Sequence, residues 1–160
     1  MSKVLDRIQL MDDFQVVRFF EAFTHQLMAS SDTPFEAIRA GVPATTRCLV
    51  GWELLAGLTA DQADKPLPAV IVAPIARRIL TMLAEDMTFE PAIEVFLESY
   101  RDDALVADVL LAVGLVASIL MMVASTSFKA TFGNVVIEKH TVDAASIKAI
   151  LDPFAKAISR

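Results

Sequence analysis

Residues 109–128 read VLLAVGLVASILMMVASTSF, twenty consecutive positions without a charge. The placement of this run decides the fold. About 20 apolar residues can cross a bilayer as a helix. A helix that is apolar on every side is otherwise the central one of a bundle, covered by its neighbours. Three features favour the bundle. Asp108 and the Ser125-Thr126-Ser127 end trim the strongly apolar part to about 16 residues, under the spanning range of about 17–25. No Trp stands near either end, and only Tyr100, Arg101 and Lys129 flank the run. The segments on both sides are amphipathic and need an apolar partner to bury against. The expectation is a mainly α fold: a compact multi-helix bundle around an apolar central helix at about 104–126, with one small C-terminal β-hairpin and a terminal helix. The alternative is a membrane-inserting protein with a single span at about 104–128.

Working outward, Ile93, Phe96, Leu97 and Tyr100 share one side of a helix over 90–101, with Glu94, Glu98 and Arg101 on the other. Upstream, Ile75–Ala84 is helical, and Pro74 starts or kinks it. Polar residues 59–68, with two prolines, form the clearest linker. Near the N-terminus Val16, Phe20, Phe23 and Leu27 recur at helical spacing, and Asp12-Asp13 divides a short first helix from a longer second. Thr33 caps a short helix with Pro34 at its first position, and this helix, Phe35 to Ala40, ends at Gly41. The next opens at Pro43 or Ala44, runs to about Leu58 and carries Trp52. Beyond the apolar run, residues 127–132 and 135–140 flank Gly133-Asn134 as a hairpin whose turn needs positive φ. Asp143 caps a last helix that turns Ile147, Ile150, Leu151, Phe154 and Ile158 inward, and Pro153 bends or splits it. No internal repeat is present. Residues 1–160 read as a single helical domain, with 1–58 and 69–160 as its possible subdivision.

Composition narrows the function. Hydrophobic residues make up 55% of the 160 and glycines number only five, which excludes a disordered tail, a collagen repeat and a disulfide scaffold. Mean hydropathy is +0.53, so the membrane question stands. Fourteen Lys+Arg against twenty Asp+Glu give a charge of −6. The densest cation pair is Arg77-Arg78, and without a basic stripe the sequence counts against a nucleic-acid partner. The lone Cys48 can form no intrachain disulfide, and its apolar neighbours Leu49 and Val50 point to a small core side chain. The N-terminus has no apolar signal region, so the expected location is cytoplasmic, with the inner membrane as the alternative if residues 104–128 span.

Candidate chemistry is sparse. Glu21 and His25 share a helix face, four residues apart. Glu138 and His140 share a strand face. A combined Glu21/His25/His140 metal site is conceivable, but the expectation is two solvated or hydrogen-bonded histidines. The acidic pairs Asp12-Asp13, Glu85-Asp86 and Asp102-Asp103 diverge by about 100° on a helix and suit capping better than catalysis. No GxSxG, HExxH, Walker A or GxGxxG motif is present. No catalytic, cofactor-binding or metal-ligating residue is expected, no cofactor, and no enzymatic activity.

Residues 35–49, FEAIRAGVPATTRCL, resemble the helix-turn-helix of small bacterial regulators. Ala37 and Gly41 hold that family's small-residue and turn positions, Val42 its apolar residue after the glycine, and Thr46 a position that often contacts the DNA backbone. The resemblance implies a DNA-binding regulator using residues 33–50. It covers about twenty residues, and Arg47 stands where the family is apolar. The supposed recognition helix also continues into Leu49, Val50, Trp52, Leu54 and Leu55. The other reading is a Gly-Val-Pro corner between packed helices.

Ten Phe and seven Met in so short a chain exceed what one small core easily hides, and surplus apolar surface marks interaction sites. The sequence therefore reads first as a non-catalytic helical protein–protein interaction module, a homo-oligomer or a subunit of a larger bacterial assembly. Gly114 and Ser118 supply a small-residue face for close helix approach, and Met121, Met122 and Trp52 supply adaptable apolar contact. The membrane-inserting protein and the DNA-binding regulator are the alternatives.

Overall fold

The computed structural model describes residues 3–61, 66–100, 110–138 and 144–158. The chain opens with α1 (Lys3–Leu10) and α2 (Asp13–Ala29), and the break falls where the acidic pair places it. The Asp12 carboxylate accepts from the Gln15 N–H at 2.8 Å, while Gln15 Oε1 accepts from the Asp12 N–H at 2.9 Å. This reciprocal cap satisfies two donors that the helix start would otherwise leave open. The end of α1 is closed from a distance by Arg77. Its Nη1 donates to the Ile8 and Met11 carbonyls at 3.0 and 3.1 Å, and its Nη2 reaches Asp13 Oδ1 at 3.2 Å.

Next come α3 (Phe35–Ala40), α4 (Ala44–Arg47) and α5 (Trp52–Asp61). The continuous helix expected from residue 43 to Leu58 is in fact two. It breaks over 48–51 because Gly51 turns with φ +92°, a region that L side chains rarely adopt. Thr33 does not cap α3, whose cap position is Pro34. Its hydroxyl instead accepts from the Lys129 N–H at 2.9 Å and donates to the Ser127 carbonyl at 3.1 Å.

A strand absent from the sequence reading, β1 (Pro66–Pro68), leads into α6 (Ala69–Glu85). Pro74 lies inside this helix rather than at its start. The carbonyl it leaves unpaired belongs to Val70, an exposed residue that water reaches. Asp86 accepts from the Thr88 N–H and hydroxyl at 2.9 and 2.8 Å, turning the chain into α7 (Glu90–Ser99).

The twenty-residue apolar run is three structures, not one helix. Leu110–Ala112 forms β2, antiparallel to β1 with Leu67 opposite Leu111. Val113–Ala124 forms α8, and residues 125–128 form a loop. The Ser-Thr-Ser end stops the helix because its side chains compete for backbone groups. Ser125 Oγ accepts from the Ser127 N–H at 3.1 Å, and Thr126 donates both its N–H and its hydroxyl to the Gly41 carbonyl at 2.9 Å. At twelve residues α8 reaches about 18 Å at 1.5 Å per residue, well short of a hydrocarbon core of about 30 Å. Among the described residues no helix is long and apolar enough to cross a membrane. The single span at 104–128 is thereby overturned, and with it the membrane partner and the inner-membrane alternative that rested on it. The central helix stands, but at Val113–Ala124 rather than 104–126; residues 104–109 lie outside the described residues.

After the loop, β3 (Lys129–Phe132) and β4 (Val135–Glu138) form the expected hairpin, with Gly133 at φ +59°. The loop after α2 joins its outer edge through the Ser31–Ala130 bridge. The terminal helix α9 (Ala144–Ile158) buries the five predicted residues and runs unbroken through Pro153. The expected cap, Asp143, lies outside the described residues.

The interior has two textures. Phe19 and Phe23 on α2, Phe96 on α7, Tyr100 and Phe132 on β3 form one aromatic cluster, with ring centroids 5.3–6.0 Å apart. The second part is aliphatic: α8 is enclosed by α5, α9 and α3, and every side chain from Ile119 to Ala124 is buried. The fold is mainly helical and compact, with a small antiparallel hairpin, as the residue spacing predicts.

Candidate functional site

The residues singled out for interaction fall mostly inside the chain. Trp52 is only 6% exposed, Met121 2% and Met122 0%. Met121 and Met122 are covered because α8 packs against α3, α5 and α9, and Trp52 is buried at the start of α5. Ser118 is half-buried, and Gly114 lies in the first turn of α8. The adaptable apolar surface expected at Met121-Met122 is therefore core packing within this chain.

The polar constellations separate as well. His25 Nε2 lies 4.0 Å from Glu21 Oε1 on an exposed face. His140 lies outside the described residues, and among the described residues no three His, Cys, Asp or Glu side chains are grouped to hold a metal. Of the acidic pairs, Asp12 and Asp86 are spent on backbone N–H groups, and Asp102-Asp103 lies outside the described residues. Arg77, half of the densest cation pair, is engaged by α1 and Asp13.

The geometry implied by the regulator resemblance at 33–50 is not formed. α3 has six residues and α4 only four, so no second helix is long enough to lie along a groove. Thr46, the expected backbone contact, is 1% exposed. Gly41 does make a corner, but a packed one: a Cβ there would collide with Ser127 and meet Ser125 Oγ at 2.7 Å.

Cys48 reverses its expectation. It is exposed, not a core side chain. α4 is a single turn that spends its inward position on Thr46, so Cys48 falls on the solvent side beside Val50. The apolar neighbours that suggested burial are themselves half-buried or exposed.

Surplus apolar surface is present, at positions that periodicity did not mark. Phe14 is 44% exposed, and Leu10, 84% exposed, lines a groove of about 360 Å³ with Arg7, Met11, Gln15 and Tyr100. A second groove, of about 470 Å³, lies along α6 between Asp13, Pro74, Arg77, Arg78 and Thr81. The third, of about 580 Å³, surrounds Gly51. Val50, 86% exposed, and Leu54, 39% exposed, line it together with Arg47 and Glu53. The signal that could have found this corner is Gly51 itself, a glycine in an otherwise helical apolar stretch. No protein-family model matches the chain, and comparison with curated proteins and with solved structures finds no significant match.

Proposed function

We propose that this chain is a helical protein-interaction module, working by association as a homo-oligomer or as a subunit of a larger assembly rather than by catalysis. The observation that carries this reading is the clustering of exposed apolar side chains around grooves. Leu10 lines one, Val50 and Leu54 line another, and the core residues behind them are already buried. Apolar side chains scattered singly are ordinary on protein surfaces, but paired and set beside a concavity they favour a partner. The engagement of Arg77 with α1 and Asp13 also supports a protein partner over nucleic acid, since it occupies one member of the densest cation pair.

Light scattering after size exclusion, on the full chain without detergent, tests the proposal. The expected result is a defined species heavier than 17.4 kDa whose share grows with concentration. A 17.4 kDa monomer at every concentration up to several hundred micromolar would count against self-association.

A further inference from the structure

Given self-association, we propose that the groove around Gly51 is the face on which two copies of this chain meet, related by a two-fold axis near Val50. A two-fold operation sets one patch against itself, so a residue that meets a second residue is met by it in return. The groove is built for that operation. Its lining joins exposed Val50 and Leu54 with opposite charges, Arg47 and Glu53, which stand three residues to either side of Val50 in the chain. Neither Arg47 nor Glu53 has an ion-pair partner among the described residues. Antiparallel apposition places Arg47 of each copy opposite Glu53 of the other, and brings the two Val50 side chains together on the axis. The apolar surface that one copy exposes is then covered by the same surface of the next, inside a pair of complementary charges.

The other two grooves lack this self-complementarity. The one beside Leu10 carries Arg7 and no carboxylate, so a two-fold copy would set like charges in one interface. The one along α6 carries Asp13, but that carboxylate is already engaged by Arg77.

Charge exchange on the full chain tests the pairing, with Cys48 as the reporter because its thiol is exposed in the same groove. The set is wild type, Arg47→Glu, Glu53→Arg and the double exchange, each followed by light scattering under reducing conditions. Each is also treated with a short bismaleimide that joins thiols brought close together. Both charged residues are exposed, so unfolding midpoints should match and show that all four proteins are folded. The wild type should dimerise, each single exchange should weaken the dimer at least tenfold, and the double exchange should return to within about threefold of wild type. Cross-linked dimer should form in wild type and the double exchange and fade in the singles. A wild-type dimer indifferent to both single exchanges, with no Cys48 cross-link, would put the interface elsewhere while leaving self-association intact. Single exchanges that weaken the dimer without recovery in the double would show that the two residues do not face each other, overturning the two-fold pairing. A monomer throughout would remove the self-association reading and this interface with it.

Discussion

At Gly41 the chain turns beneath the serine-rich loop that follows α8; ten residues on, at Gly51, it turns with Cys48, Val50 and Glu53 facing solvent. The first corner has an ordinary backbone, φ −82°, which any residue could adopt. What excludes a side chain is space, because Ser127 and Ser125 lie where a Cβ would go, and Thr126 binds the Gly41 carbonyl twice. The second corner is the reverse. A Cβ at Gly51 would meet nothing nearer than the Ala155 methyl at 3.5 Å, and what excludes a side chain is φ +92°. One glycine lets two segments touch; the other lets one segment change direction. The first corner is closed by the 125–127 loop, whereas the second stays at the surface.

The sharpest contrast lies within the open corner, between Trp52 at 6% exposure and Val50 at 86%. Trp52→Ala should cost about 3–5 kcal/mol through lost burial and the cavity left behind. Val50→Ala should change stability by no more than about 0.5 kcal/mol. Urea unfolding at low protein concentration, where association is negligible, measures both. A Val50→Ala cost near that of Trp52→Ala would mean that the corner is packed, and the contrast would fail.

Gly41→Ala comes next, at about 1–3 kcal/mol from overpacking against the 125–127 loop. Removing the obstruction should restore part of the loss. Adding Ser127→Gly to Gly41→Ala should therefore cost less than the sum of the two single changes. Strict additivity in denaturant midpoints would show that the collision is relieved some other way, and that this corner is not sealed by Ser127.

Much of the fold was legible because its signals are local. Asp12 three residues before Gln15 specifies a cap whatever surrounds it, and Gly133-Asn134 between β-prone runs specifies a turn. The β1–β2 ladder carried no such signal. Leu67 and Leu111 are far apart in the chain, and the prolines on either side of Leu67 argue against a strand on local grounds. That pairing is what removes Leu110–Ala112 from the apolar helix. The candidate site was hidden for a related reason. Residue type pointed to Trp52, Met121 and Met122 as adaptable contacts for a partner, but residue type does not say which side of a helix is covered, and all three are buried. The apolar residues left outside, Val50 and Leu54, are set by where the helix breaks, and the break depends on Gly51 adopting a backbone that its neighbours do not announce.

Gly51→Ala should carry the smaller of the two glycine effects, about 1–2 kcal/mol, the cost of holding an L side chain at positive φ. Because the strain is conformational, the chemistry of the replacement should matter more than its size. Asn is bulkier than Ala, yet it visits the left-handed region more readily, so Gly51→Asn should lose less stability than Gly51→Ala. If Ala proves the milder of the two, space and not φ governs the site, and Gly51 is a second Gly41. If Gly51→Ala instead stabilises the protein, α4 and α5 run together as the one helix that their apolar spacing suggests. Val50 and Leu54 would then be re-aimed by the added turn, and the groove between Arg47 and Glu53 would lose the bend that brings them to one surface.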